Sequence, residues 1–393
     1  MKIIQFRDFI ALQRGFDLPK HSRDEGEYPV IAAAGIHGCH SEFKVNPPGV
    51  VTGRSGSLGE VVFVKCPYWP LNTTLWVKDF KENQPRYVYY FLKTLDLKRF
   101  NSGAGVPTLN RNHLDTLIVK IHDKQIQQKI AAILSAYDDL IENNLRRIKI
   151  LGEMAQSFYR EWFVKFRFPG HQKVKMVNSP LGKIPEGWET KTIGDVCTVI
   201  PGYAFKSNDW QTSGIPVIKI KNINSDNTIN IDETDYVSEE FLKSTMEKFL
   251  LKDGDILIAM TGATAGKIGK LRSRQPMLLN QRVAKIEPLN PFNAFLWCTI
   301  CTKECQALFF RLADGAAQPN MSGHQIEGFP ILLPTRTLCQ DFSETAGPLL
   351  LEIDNLIHCN RNLRQTRDLL LPKLISGELD VSELDISIPG KTL

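Results

Sequence analysis

The sequence repeats itself. Residues 1–38 align without a gap on residues 188–225 at an offset of 187, so Asp8 falls on Asp195, Gly15 on Gly202, Pro29 on Pro216, and Val30-Ile31 on Val217-Ile218. The repeat then resumes: Thr52-Gly53 matches Thr261-Gly262, Asn72 matches Asn280, Gly103-Ala104 matches Gly315-Ala316, and Pro107 matches Pro319. Each copy runs into a long helical pattern, at 125–163 and at about 338–379. A period near 200 residues is too long for a solenoid and is that of a duplicated domain. Two similar globular units, each followed by a long helix, suit a protein that reads two similar things at a set distance.

Inside the first copy, short β-type runs fall at 28–32, 50–52, 60–65 and 117–121, punctuated by turn residues as at Asn46-Pro47-Pro48-Gly49. A helix is predicted over 87–97, where aromatic and leucine residues recur at helical spacing. The first long helix opens at Asp123 as N-cap. Its apolar positions are Ile126, Ile130, Ile133, Tyr137, Ile141, Leu145, Ile148, Leu151, Ala155, Phe158 and Trp162, which is 36 residues in ten steps, a period of 3.6. A helix on the order of 55 Å long is too long for one small domain to cover, so this stripe needs another helix.

The second copy supplies it. Thr337-Leu-Cys-Gln340 reads as a capping box, and Leu349, Ile353, Leu356, Leu363, Leu370 and Leu374 form the stripe. Pro372 is expected to kink or end this helix. Asp138-Asp139-Leu140-Ile141 aligns with Asp354-Asn355-Leu356-Ile357, so both helices descend from one element. Antiparallel pairing lets two tandem copies sit at opposite ends. The seam is assigned to Ile133, Tyr137, Ile141 and Leu145 with Ile353, Leu356, Leu363 and Leu370. Asn144 and Asn360 lie either near that seam, where polar residues fix register, or in solvent.

The fold class expected is α/β (α+β): two tandem domains of mixed structure, each followed by a long helix, the helices pairing as an antiparallel coiled coil. The expected boundaries are 1–121 and 188–336 for the domains, 122–168 and 337–380 for the helices, 169–187 for a Pro-, Gly- and Lys-containing linker, and 381–393 for a flexible tail. The net charge of +5 permits a polyanion partner without demanding one. No basic-then-apolar signal opens the sequence and no apolar run approaches a membrane span, so a cytoplasmic protein is expected. The eight scattered cysteines suit a reducing compartment.

Several segments resemble type I restriction-modification specificity subunits. Leu181-Gly-Lys-Ile-Pro-Glu-Gly-Trp188 looks like the opening of the second half of that family, and Arg367-Asp-Leu-Leu-Leu-Pro-Lys-Leu-Ile-Ser-Gly-Glu-Leu379 like the close of its distal conserved helix. Ala104-Gly-Val-Pro107 and Ala316-Ala-Gln-Pro319 resemble the segment near the end of each target recognition domain. The likeness spans residues 1–380; the second copy's Pro-Glu-Gly-Trp entry has no counterpart before Lys2. The resemblance implies two target recognition domains that each read half of a split double-stranded DNA site. It implies helices that set the spacing and carry methyltransferase subunits, two of them, with restriction-translocase subunits joining. It also implies no catalysis and no cofactor in this chain, S-adenosylmethionine, ATP and Mg belonging to the partners.

Candidate DNA contacts follow from residue chemistry. Between 267 and 285 stand six basic residues and no acidic one: Lys267, Lys270, Arg272, Arg274, Arg282 and Lys285, with Asn280 and Gln281 among them. Arg and Lys neutralise phosphate or bind guanine, and Asn or Gln pairs with adenine. A solvated loop is the bland alternative. The first copy offers Arg54 in a glycine-rich turn, with Lys65, Asn72 and Lys78, and the loops offer Asn101, Arg111, Gln318 and Asn320. Residues 1–120 carry 16 basic and 11 acidic side chains, whereas 188–335 carry 15 and 16, so the second unit must segregate its charge to bind DNA.

Enzyme motifs fall short. Gly262-Ala-Thr-Ala-Gly-Lys267 is one residue short of a phosphate loop and has Ile268 where Ser or Thr must follow. Asn46-Pro-Pro-Gly49 lacks the aromatic residue that stacks on a flipped base, and Glu42-Phe-Lys44 is a chance-level nuclease triplet. Cys298, Cys301 and Cys305 share a helical face with Leu308, which favours packing over zinc. The rival readings are a coiled-coil scaffold with two protein-binding domains, or a stand-alone DNA methyltransferase or nuclease.

Overall fold

The computed structural model describes residues 1–103, 105–179, 182–242, 244–313 and 320–386. Ala104, Leu181, Gly315, Ala316, Gln318 and Pro319, singled out above, and most of the tail lie outside them. The chain forms two compact units, Met1–Glu142 with the chain from Arg361 onward, and Asn143–Asn360. Both long helices, Lys124–Tyr159 and Arg336–Ser376, contribute to each unit. Among the described residues no helix is long and apolar enough to cross a membrane.

In the first unit Lys2–Gln5 pairs antiparallel with Ile118–Ile121. A four-stranded antiparallel sheet runs in the order Ala11–Arg14, Thr74–Asp79, Gly49–Gly53, Val61–Val64. A three-stranded sheet places Tyr28–Ala32 between Gly35–His40 and Trp69–Pro70, the latter pair parallel with Val30 opposite Trp69. Pro29 cannot donate to the ladder, and the register shifts between Pro29 and Ile31. The helix Pro85–Thr94 begins two residues earlier than its aromatic pattern, because Pro85 suits the first turn and Gln84 Oε1 caps the Arg86 and Tyr87 amides. Phe6, Phe9, Val50, Leu75, Tyr87 and Phe91 form the core, and Ile130, Leu134, Leu371 and Leu374 of the long helices close it. Val381 is buried in the same core and Lys129 Nζ holds the Leu384 carbonyl at 2.9 Å, so the expected tail starts as packed chain.

The second unit repeats the plan. Glu189–Thr192 pairs with Pro330–Leu333, and the four-stranded sheet runs Cys197–Pro201, Val283–Pro288, Ile256–Ala259, Ile268–Lys270. Ile215–Ile218 and Met277–Leu279 form the parallel pair, with Val217 opposite Leu278. The repeated glycine has a structural cause. A Cβ on Gly15 would stand 2.2 Å from the Leu71 carbonyl oxygen, and one on Gly202 would stand 2.2 Å from that of Asn280. In both copies a later segment crosses at backbone distance.

The region expected to be a linker is structured. Met176–Ser179 and Gly182–Pro185 form a hairpin, and Phe168, Ile184 and Trp188 are buried. Phe163 lies in a five-residue π-helical turn, Arg160–Val164, that follows the first long helix. Its ring packs at 4.8 Å from Phe342, 4.9 Å from Phe295 and 5.9 Å from Trp188.

The long helices run antiparallel within each unit. In the first, His122 Nε2 lies 3.0 Å from the Leu374 carbonyl and Arg367 Nη1 2.5 Å from Asp138 Oδ1. In the second, Asn144 Nδ2 donates to Asn360 Oδ1 at 2.9 Å and Arg147 Nη2 to Glu352 Oε1 at 2.7 Å. The two asparagines are buried in the seam rather than solvated. Ile141, Ile353 and Leu356 are buried and Ile133, Tyr137, Leu363 and Leu370 half-buried, but Leu145 is 48% exposed.

Asp123 caps the first helix, its Oδ1 accepting from the Gln125 and Ile126 amides at 3.1 Å. The second helix starts before the expected box: Thr335 Oγ1 accepts from the Leu338 amide at 3.3 Å. It also passes through Pro372 to Ser376 and stops where Gly377 takes φ +80°. Pro372 and Asp368, whose carbonyl the proline frees, are both on the exposed side, where water can satisfy it. The cysteine segment is two helices, Asn293–Ile300 and Lys303–Ala313, and Leu308 is exposed. Burial pushes the Cys298 and Cys305 thiols up to about 12, and no metal-competent cluster occurs among the described residues.

Candidate nucleic-acid interface

In each unit one hairpin of the four-stranded sheet ends in a glycine-bearing turn, and a distant loop is stitched to that turn. In the first unit the Gly56 amide donates to the Pro107 carbonyl at 2.9 Å and the Leu109 amide to the Arg54 carbonyl at 2.8 Å. The Arg54 and Ser55 amides both donate to the Thr73 carbonyl, at 2.8 and 3.1 Å. Arg54, the Asn72-Thr73 turn and the Asn101 loop, separate in sequence, therefore share one surface. Gly53 must be glycine, since a Cβ there would lie 1.9 Å from the Ser57 carbonyl oxygen.

Beside this turn opens a cleft of about 570 Å³ lined by Gly56, Ser57, Glu60, Lys98, Asn101 and Pro107. Asn101 shapes the loop as well as facing the cleft, its Oδ1 accepting from the Gly103 and Thr108 amides at 2.9 Å. Asn72 Nδ2 is bound to Asp17 Oδ1. Lys78 is exposed near the end of its strand, and Arg111 opens the helix Arg111–Asp115 with Nη1 3.5 Å from the Leu12 carbonyl.

The second unit builds the same surface with different side chains. Thr261 bridges Asn320, and the Met321 amide donates to the Met260 carbonyl at 2.8 Å. The Met260 amide donates to the Arg282 carbonyl at 2.9 Å. Exposed Gln281, Arg282 and Asn320 thus stand around Thr261, with half-buried Lys267 in the following turn. Asn280 is 9% exposed, and its amide donates to the Ile218 carbonyl at 3.1 Å. Arg274 is exposed in the next turn, and Gln318 falls outside the described residues.

Four candidates are engaged elsewhere, Lys285 among them, buried with Nζ 2.5 Å from Glu287 Oε1. Lys65 Nζ lies 2.6 Å from Glu142 Oε2 and 3.0 Å from Asp139 Oδ1 on the first long helix. Lys270 Nζ and Arg272 Nε lie 2.5 and 2.8 Å from the two carboxylate oxygens of Asp354 on the second. The hydrogen bond to Glu142 raises the Lys65 pKa above its ordinary value. Burial opposes ionisation of Asp139, yet hydrogen bonds from Lys65 and Arg86 hold its carboxyl below the usual range. The sequence reading missed Lys98 and Thr261, because the stitching joins segments some fifty to sixty residues apart and leaves no local spacing signal.

The chain is similar to known proteins along most of its length. The family model of the type I restriction modification DNA specificity domain matches residues 1–151 and 185–337. The chain is 26% identical over 414 aligned residues to the type I restriction enzyme MjaVIII specificity subunit of Methanocaldococcus jannaschii, covering 98% of this chain and 94% of that one. It is 28% identical to the MjaIX specificity subunit of the same organism over 76% of this chain and 70% of that one. The fold matches the crystal structure of the type I restriction-modification system S subunit from M. genitalium with a TM-score of 0.65 and 18% identity, covering 97% of this chain and 96% of that chain. With the family model matched in both copies, each built on a four-stranded antiparallel sheet with a glycine-bearing turn, the chain belongs to the type I restriction modification DNA specificity family and carries that domain twice.

Proposed function

We propose that this chain is the DNA specificity subunit of a type I restriction-modification complex. Its recognition domains, 1–121 and 188–336, each read one half of a two-part site, and the helices set the gap. The observation that carries this reading is the pair of stitched turns, one per family domain, each presenting polar side chains from three segments. Phosphate neutralisation would come from Lys98, Lys267 and Arg282, and base-edge readout from the turns and loops. The turns differ in side chains, Arg54 and Asn101 against Gln281, Arg282 and Asn320, so the site is asymmetric.

Double-stranded DNA and partner subunits complete the assembly. Methyltransferase subunits dock on the helices and restriction subunits join them in the cytoplasm. S-adenosylmethionine, ATP and Mg serve the partners, and this chain directs their chemistry without catalysing it. The test is co-expression with a cognate methyltransferase subunit followed by genome-wide mapping of methylated adenines. A single two-part motif with a fixed gap is expected. A stable complex without new methylation would overturn the reading.

A further inference from the structure

We infer that the ion pairs between each recognition sheet and its long helix are latches that fix the pose of the reader, and that Lys65, Lys270 and Arg272 are positioning residues. The inference rests on the specificity-subunit reading above. In both units the hairpin that carries the reading turn is also the one that reaches the helix. The turn after Gly49–Gly53 is the reading end in the first unit, and Lys65 follows Val61–Val64 at the other end. In the second, Thr261 and Lys267 lie at the turn, while Lys270 ends the strand Ile268–Lys270 and Arg272 follows it.

The acids that receive these cations are not the same repeat position. Asp138 aligns with Asp354 and Asp139 with Asn355. In the first unit Asp138 is taken by Arg367 and by Tyr90 Oη, each at 2.5 Å, and the latch moves one residue on, to Asp139 and Glu142, with Arg86 Nη2 also 3.2 Å from Asp139. In the second unit Asp354 spends both oxygens on Lys270 and Arg272. The same sheet edge is thus tied to its helix twice by different residues. The second latch is the drier one, with Lys270, Arg272 and Asp354 side chains 18%, 10% and 19% exposed. Cations spent on a carboxylate at the far end of the hairpin have little left for phosphate, and a hairpin held at that end presents its turn at one angle. Loosening the latch should change the tolerated gap and leave the half-site sequence intact.

The test uses the full chain in complex with its methyltransferase subunit and a library of sites whose gap varies by single base pairs. Asp354→Asn should keep both half-site sequences and raise methylation at gaps one base pair off by roughly tenfold or more. Asp354→Glu, or the swap Asp354→Arg with Arg272→Asp, should restore the sharp gap. A changed base preference in the second half-site for Lys270→Ala with Arg272→Ala, at the normal gap, would make these residues DNA contacts and overturn the latch. So would an unaltered gap distribution for Asp354→Asn. If Asp354→Asn abolishes methylation, the charge swap decides: restored activity supports the latch and silence overturns it. Failure of the unaltered chain to yield a two-part motif is instead the failure of the specificity-subunit reading.

Discussion

Replacing Asn144 by leucine should destabilise the protein clearly more than replacing Asn360, although the two face each other. Asn144 Nδ2 donates to Asn360 Oδ1 at 2.9 Å, and the residues are 7% and 2% exposed. Asn360 Nδ2 already lies buried without a partner. A buried polar group left unsatisfied costs about 1–3 kcal/mol. Asn144→Leu adds one such group, the orphaned Asn360 oxygen, to the amide already unpaired, so a loss of about 1–3 kcal/mol is expected. Asn360→Leu leaves Asn144 Nδ2 unpaired but removes the Asn360 amide, and the two changes nearly offset. The double leucine variant removes every unpaired group and adds apolar seam, so it should be at least as stable as the native chain.

For a unit of this size 1 kcal/mol is about 2–4 °C in Tm. Thermal unfolding should therefore show a drop of several degrees for Asn144→Leu, little change for Asn360→Leu and no drop for the pair. Equal drops for the two single variants, or a double variant that falls by their sum, would refute the hydrogen-bond accounting. The double variant should also blur the DNA gap, because the buried polar pair that opposes slippage in the seam is gone.

Other outcomes follow from the same geometry. Arg54→Ala should weaken discrimination in the first half-site by about 1–3 kcal/mol if it reads a base, and Arg282→Ala should act only on the second; binding to duplexes mutated in one half at a time separates them. Gly53→Ala places a Cβ on the Ser57 backbone and should abolish reading of the first half-site while the second unit still unfolds at its native temperature. The latch of the first unit should depend on pH at both extremes. The raised Lys65 contributes stability below its ordinary 10.5 that is lost as pH rises through the folded value. The lowered Asp139 contributes above its ordinary 3.8 and is lost as pH falls through the folded value. The Tm difference between the native chain and Lys65→Met should therefore hold between those limits and close outside them.

The duplication, the long helices and much of the strand pattern are legible in the sequence because they depend on local period and repetition. Tyr28–Ala32 forms over the short run built around the β-branched pair Val30-Ile31, and Asp123 caps because it stands directly before the apolar stripe. Features set by tertiary contact are not legible. Thr335 caps the second helix two residues before the capping-box pattern, since the preceding strand, Pro330–Leu333, fixes where the chain turns. Pro372 sits inside a helix because its freed carbonyl faces water, a matter of which side of the helix it occupies. The polar region 169–187 is ordered by a few residues, Phe168, Ile184 and Trp188, that composition outweighs.

The basic run 267–285 shows where a charge count stops being informative about DNA. Read linearly, its cations are equivalent. In the fold, Arg274 and Arg282 are exposed, Lys270 and Arg272 belong to Asp354, and Lys285 is buried with Nζ 2.5 Å from Glu287 Oε1. The segment is three strands in two sheets, Ile268–Lys270 and Val283–Pro288 in the four-stranded one and Met277–Leu279 in the other, so neighbouring cations end in different surroundings. Cations near the Thr261 turn remain available to a polyanion, whereas Lys270 and Arg272 at the other end meet Asp354 of the long helix. A net charge near zero for this unit is then no obstacle to binding, because part of its positive charge is spent internally on holding the reader and only the turn end needs to be basic.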